Sequence, residues 1–316
     1  MEEEVSRGRR APHDIGAPSS ASVHLLVAPY DSGRFDERMG AGPRALQIAG
    51  AARVLRESGH NVLEVELEPI SEWRSELATA FELHRVIAEA TSTARRSGAF
   101  PLLLAGNCNA TVGALAGLTA TCERVGLIWM DAHGDFNSPD EDGAGFLDGQ
   151  GLAMAVGRCW HAATSRIPGF RPLPEEDVVL VGVRDLTDAQ RTVLGESGLS
   201  VFGPSCSDAG ELRAAVRALA ERVDVVHLHV DLDVLDPSIA PANQYAAPGG
   251  LSAGDVRDVI GLASDFVRIG SATVASYDPS FDPHGALGRA ALTLLGFIVD
   301  RARHSRRLIA DDSPQL

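Results

Sequence analysis

Lysine is absent from this chain: all 28 basic residues are arginine. No Schiff-base lysine, pyridoxal anchor or phosphate-loop lysine can therefore be built from it. Positive charge is also scarce overall, 28 basic against 43 acidic residues for a formal net charge of −15. That sign sets the protein against phosphate backbones and acidic membrane surfaces, and suits a cationic or guanidinium-bearing small molecule better. The four cysteines, Cys108, Cys122, Cys159 and Cys206, show no C-x-x-C spacing, which argues against a disulfide framework and for a reducing cytoplasm. No run of about 18 apolar residues occurs, and Met1 to Ser20 lacks an apolar signal core, so neither membrane insertion nor secretion is expected.

What is present is the balance of a globular α/β protein: 45% hydrophobic and 22% charged over 316 residues. Residues 1–22 and 303–316 read as mobile polar tails, leaving residues 23–302 as one folded domain. Within it, short apolar runs recur at His24–Tyr30, Asn61–Leu67, Phe100–Ala105, Val125–Met130, Val178–Val183, Val225–Val230 and Ala272–Ser276. Mostly unalternating runs of this length suit strands buried on both faces, as in a parallel sheet. Helical stretches lie between them, at Ala45–Ser58, Ser75–Arg96, Ala110–Arg124, Asp208–Arg222 and Ser252–Ser264. The alternation predicts repeated βαβ units.

Two clusters carry the chemistry. Asp131, His133 and Asp135 follow the run Val125–Met130 at i, i+2 and i+4, a spacing that puts all three on one side of extended chain. Asp231 and Asp233, with Asp236 beyond, follow Val225–Val230 in the same way. Open α/β sheets gather sites at the carboxyl ends of their strands, so the clusters can converge. Buried together, four carboxylates would be prohibitively costly without a cation. Carboxylates and one imidazole, with no thiolate in either cluster, favour a hard or borderline divalent ion such as manganese over structural zinc. Alone, Asp131 and His133 would read equally well as a strand-end turn capping a helix.

Those residues carry a family resemblance. The stretches Trp129-Met130-Asp131-Ala132-His133-Gly134-Asp135-Phe136-Asn137, His229-Val230-Asp231-Leu232-Asp233-Val234-Leu235-Asp236-Pro237 and Gly249-Gly250-Leu251-Ser252 resemble the ureohydrolases, the family of arginase and agmatinase. Weaker echoes are Gly40-Ala41-Gly42-Pro43 and Gly182-Val183-Arg184-Asp185, and the matches keep the family's order from about residue 24 to 300. The resemblance implies a three-layer α/β/α sandwich with a mostly parallel central sheet. It also implies hydrolysis of a guanidino C–N bond at one or two Mn2+ ions, and a homo-oligomer, trimer or hexamer. Asp131 and Asp231 would bridge the ions, His133 and Asp233 would complete one position, and Asp135 with Cys108 the other. Asp135 would also orient the attacking water.

Several positions depart from the family. Where it has Gly-Gly-Asp-His-Ser, with the histidine a metal ligand, this chain reads Ala105-Gly106-Asn107-Cys108-Asn109. Cys108 is either a weak ligand or a small buried residue binding nothing. The arginase proton-shuttle histidine falls on Asp148, which can still move protons if its pKa is raised, or can cap the helix that follows. The glutamate that pairs with the guanidinium falls on Ser276; Asp278, two residues on, is the candidate replacement. Of the residues that bind the amino-acid end of arginine, Asn137 persists, whereas Ala144 and Phe146 replace polar side chains. L-Arginine is therefore expected to fit poorly, and a hydroxyguanidine such as N-hydroxyarginine to fit better. His229 replaces a small residue and either faces the site or packs in the core. Two rivals remain: a non-catalytic relative, and a deacetylase-like amide hydrolase, which would need an adjacent histidine pair that the chain lacks.

Overall fold

The computed structural model describes residues 22–141, 145–204 and 209–311. Eight strands form one sheet: β1 (Ser22–Ala28), β2 (Asn61–Glu66), β3 (Phe100–Ala105), β4 (Val125–Met130), β5 (Val178–Val181), β6 (Ser200–Phe202), β7 (Val225–Asp231) and β8 (Ile269–Ala275). Their spatial order is β2-β1-β3-β8-β7-β4-β5-β6, and every pairing is parallel. Seven of the eight coincide with the expected apolar runs. The eighth, β6, escaped because it is a three-residue edge strand with no fully buried position, so it carries no apolar run.

Burial explains the sequence pattern. β3, β4, β5, β7 and β8 are buried at every residue, whereas the edge strand β2 is half-exposed. Alternate residues feed two cores: Leu102, Leu104, Ile128 and Met130 pack with the helices Ala209–Arg222, Ala253–Phe266 and Ala286–Asp311. Leu103, Leu127 and Trp129 pack with the helices Glu76–Arg96 and Thr111–Thr119 on the other face. The result is the three-layer sandwich.

Helix boundaries follow capping chemistry. The Ser75 hydroxyl accepts from Ala78 N at 3.2 Å to open Glu76–Arg96, and Ser252 with Asp255 forms a capping box at Ala253. The stretch expected as one helix at Ala45–Ser58 is two, Gly42–Ala49 and Ala51–Glu57, broken at Gly50 by its left-handed φ of 105°.

The expected tails need one correction. Ser22 opens β1, and residues 1–21 lie outside the described residues. At the other end the last helix continues to Asp311, through much of the segment read as a tail. Its apolar stripe, Leu287, Ala291, Leu294, Ile298 and Ala302, extends to buried Ser305, whose hydroxyl accepts from Ile269 N at 3.2 Å. Burial of that face overrides the polar composition of the other. Among the described residues no helix is long and apolar enough to cross a membrane.

Candidate metal centre

Four neighbouring central strands, β3, β8, β7 and β4, end at one place, and each delivers a side chain there. Cys108 starts the turn after β3, Ser276 follows β8, Asp231 ends β7, and Asp131 follows β4. Asp233 sits in the single turn Leu232–Val234. That turn is held by Asp231, whose Oδ1 accepts from Asp233 N at 2.7 Å; Asp131 does the same for His133 N at 2.7 Å. Each D-x-[D/H] motif thus folds its second ligand back over its first.

The sequence clusters do converge. His133 Nδ1 is 3.3 Å from an oxygen of Asp131 and 3.3 Å from one of Asp233. Candidate ligand atoms of Asp131, His133 and Asp233 lie within 4.8 Å of one another, as do those of Cys108, Asp131, His229 and Asp231, and those of Cys108, Asp135 and Asp148. The thiol lies inside the cluster, where the resemblance puts it as a candidate ligand: Cys108 Sγ is 2.8 Å from Asp231 Oδ2 and 3.3 Å from Ser276 Oγ. Two residues of the centre hold left-handed backbone, Asp135 at φ 45° and Ser276 at φ 66°. Such strain costs roughly 1–3 kcal/mol and persists only where neighbours enforce it. Here the Asp135 carbonyl accepts from Leu152 N and Ala153 N at 2.9 and 3.0 Å, and the Ser276 carbonyl from Asn243 Nδ2 at 2.9 Å.

The electrostatics call for a cation. Burial pushes the carboxyls of Asp131, Asp135 and Asp231 above their ordinary range, and repulsion among them and from Asp233 adds to it. Asp233 goes the other way despite its burial, held down to about 2 by His133. His133 is correspondingly raised, its own burial overridden by Asp233 and Asp131. Arg184, in the lining of the cavity above the centre, spends its guanidinium on backbone carbonyls, among them Asp233 O at 2.7 Å and Ala247 O at 2.8 Å. Oxygen and imidazole donors crowded this closely fit a divalent ion, which would relieve the repulsion left among Asp131, Asp135 and Asp231 beside His133.

Above the centre opens a cavity of about 680 Å³ lined by Asp135, Asn137, Phe146, Asp148, Asp231 and Ser276 among others. Asp148 is fixed in its wall by Asn107 Nδ2 at 2.8 Å and Asn109 N at 3.0 Å. Burial raises its carboxyl to about 7, the Asn109 amide working against the rise. Asn137 Oδ1 accepts from Gln190 Nε2 at 3.0 Å. Phe146 lies 5.3 Å from the Tyr245 ring. Asp278 does not reach the centre: it is tied to Ser280 N at 2.9 Å and Ser280 Oγ at 2.6 Å as the cap of a short turn, and is absent from the cavity lining. It does not replace the charge missing at Ser276. Ala144 lies outside the described residues.

Sequence reasoning undervalued His229, whose fully buried ring turns into the cluster with Nε2 3.2 Å from Cys108 Sγ. Its signal was parity with Asp231, two residues on in the same strand. Asn243, which donates to Asp233 Oδ2 at 3.4 Å, left no signal. The first glycine echo proves to be packing: a Cβ on Gly40 would stand 2.5 Å from Asp31 N, and one on Gly42 2.0 Å from Tyr277 O. The Gly249-Gly250 pair is held by Asp236 Oδ2, which accepts from both amides at 2.9 Å.

Buried carboxylates around imidazoles, under a cavity at the carboxyl edge of a parallel sheet, define an α/β protein with a candidate metal centre. A sequence model of the Arginase family matches residues 21–299, and the chain belongs to that family. It is 30% identical over 290 residues to the arginase of Bacillus caldovelox, covering 87% of this chain and 96% of that one. The native structure of that arginase superposes with a TM-score of 0.78 over 88% of this chain and 98% of its own. The proclavaminate amidino hydrolase of Streptomyces clavuligerus, 20% identical, has a TM-score of 0.68 over 91% and 94% of the two chains, a likeness of fold.

Proposed function

We propose that this protein hydrolyses a guanidino or amidine-like C–N bond in a small molecule other than L-arginine, a hydroxyguanidine such as N-hydroxyarginine being the class its pocket suits. One or two manganese ions would be held by Asp131, His133, Asp135, Asp231 and Asp233. When bound, they supply an activated water and offset negative charge developing on the substrate. The observation that carries the reading is the cavity floor: Asp231 and Asp135 beside a neutral Ser276, with Asp148 in the wall. A guanidinium entering there meets the carboxylates that hold the ions but no carboxylate at position 276 dedicated to it. A hydroxyguanidine, less basic, needs that partner less.

The roles of the protein groups follow from their contacts. Asp135, fixed in left-handed backbone, orients the water. Asp148, held by two asparagines and titrating near neutrality, carries a proton between pocket and leaving amine. Asn137 and Ser276 line the substrate cavity. The cysteine usage suits a reducing cytoplasm, and the family resemblance suggests a homo-oligomer, trimer or hexamer.

The test is urea release from arginine, agmatine, guanidinobutyrate and N-hydroxyarginine under saturating manganese, with metal analysis of the wild type and Asp231→Ala. N-Hydroxyarginine should give the highest kcat/KM, and Asp231→Ala should lose manganese. Arginine emerging as the best of the four would overturn the substrate class, and equal manganese in the variant would overturn the site.

A further inference from the structure

The centre is chemically lopsided. On one side stand Asp131, His133 and Asp233, all hard or borderline donors. On the other, the imidazole expected after β3 is a thiol, yet an imidazole is present all the same, delivered from β7 by His229. The two residues are 121 positions apart, and Nε2 of His229 lies 3.2 Å from Sγ of Cys108. Sγ is in turn 2.8 Å from Asp231 Oδ2 and 3.9 Å from Asp131 Oδ2.

We infer that Cys108, His229, Asp231 and Asp131 form a metal position of a different kind, in which the lost histidine has been relocated across the centre and the thiol retained. Such a position selects zinc, cobalt(II) or iron(II) over manganese, while Asp131, His133 and Asp233, sharing Asp131 with it, keep the harder ion. The inference rests on the metal-hydrolase reading for there being a metal centre at all. Tetrahedral sites with Zn–S of about 2.3 Å and Zn–N of about 2.0–2.1 Å place neighbouring donors roughly 3.3–3.6 Å apart, and the observed separations of 2.8, 3.2 and 3.9 Å bracket that spacing.

The surroundings of His229 are those of a ligand. Its Nδ1 is 2.8 Å from Thr111 Oγ1. When Nδ1–H donates to that hydroxyl, the lone pair is on Nε2, directed at the centre. The ring is clamped against the indole of Trp129 at 3.8 Å between centroids, and the same indole donates through Nε1 to Asp131 Oδ2 at 2.9 Å. One tryptophan thus positions two of the four donors. Neither Cys108 nor His229 lines the cavity, whereas Asp231 does, so an ion held by them sits behind the carboxylates, where a thiolate is protected from solvent. A nucleophilic role for the thiol is disfavoured by the same placement, since a substrate in the cavity meets Asp231 and Ser276 first.

The experiment loads the full-length, metal-stripped protein with Co2+ and follows the near-ultraviolet thiolate-to-cobalt charge-transfer band, with Zn2+ and Mn2+ as competitors. Wild type should show the band, and Zn2+ should abolish it at far lower concentration than Mn2+. Cys108→Ser should lose the band. His229→Asn should weaken Co2+ binding at least about tenfold, and Thr111→Val should weaken it less, as loss of a group supporting a ligand does. A reciprocal exchange, Cys108→His with His229→Ser, should remove the band and raise Mn2+ content, and it guards against a single variant that fails to fold. Unchanged Co2+ affinity and band in a folded His229→Asn protein would overturn the inference, as would displacement of Co2+ by Mn2+ as readily as by Zn2+. Urea release is scored separately: the band without activity on any guanidino compound would sink the functional reading alone, and activity with no band would sink this one alone.

Discussion

The side-chain amide of Asn107 donates to Asp148 at 2.8 Å, tying the turn after β3 to the wall of the cavity. The partnership extends inward, since the Asn109 backbone N–H also donates to Asp148 and the Asn109 side-chain Oδ1 is 2.9 Å from His84 Nε2. Asp148 is therefore a carboxyl group held in one place, which a proton carrier requires. Asp148→Asn should lower kcat by about 10²-fold or more with little change in KM. It should also remove a limb near neutrality from the pH–rate profile, matching the carboxyl raised by burial to about 7. A profile that keeps its shape would reduce Asp148 to a brace for the asparagine turn.

Ser276 lines the cavity from left-handed backbone at φ 66°, a strain that an L-residue already bears at this position and that its neighbours enforce. Ser276→Glu should restore a carboxylate for a guanidinium. A charge-assisted bond is worth roughly 1.5–3 kcal/mol, so kcat/KM for arginine relative to N-hydroxyarginine should rise about 10- to 150-fold. The ratio is read from paired kinetics on the two substrates; a fall would contradict the assignment of this position.

Stability of the metal-stripped protein should fall as pH rises. Asp148, Asp131, Asp135 and Asp231 are all raised by burial, and His133 is raised by its carboxylate neighbours. Groups raised on folding stabilise most when protonated, and that contribution disappears as pH climbs through their folded values. Asp233, lowered to about 2, contributes equally at both ends of that range, its stabilisation being lost only in far more acidic solution. Stripped protein should therefore melt higher at about pH 5.5 than at about pH 8, and added Mn2+ should raise Tm most at the higher pH, where the ligands are deprotonated. Calorimetry with and without chelator decides it.

Arg184 spans the loop beside the centre, donating to Asp233 O at 2.7 Å and Ala247 O at 2.8 Å, with longer bonds to Pro248, Gly182 and Val234 carbonyls. A lysine ammonium cannot cover this fan of acceptors. Arg184→Lys should cost about 2–3 kcal/mol in urea denaturation and loosen metal binding through Asp233. Wild-type stability in that variant would show that the carbonyls find water instead.

The parallel sheet and most of the hard ligands were legible in sequence because both are local. Strands buried on two faces are short apolar runs whatever packs on them, and Asp131, His133 and Asp135 lie within a single strand-end turn. Helix starts at Ser75 and Ser252 were readable for the same reason, since a cap bonds an amide three residues away. The tertiary structure decided what depends on distant partners. Strand parity showed that His229 and Asp231 share a face, but only the strand order β3-β8-β7-β4 places that face beside Cys108. The same holds for Asp278, whose charge looked available until Ser280 claimed it, and for the start of the expected C-terminal tail, polar in composition yet helical and held against the core by buried Ser305. A donor's identity is written in the chain, whereas its partner is chosen by which elements the sheet sets side by side.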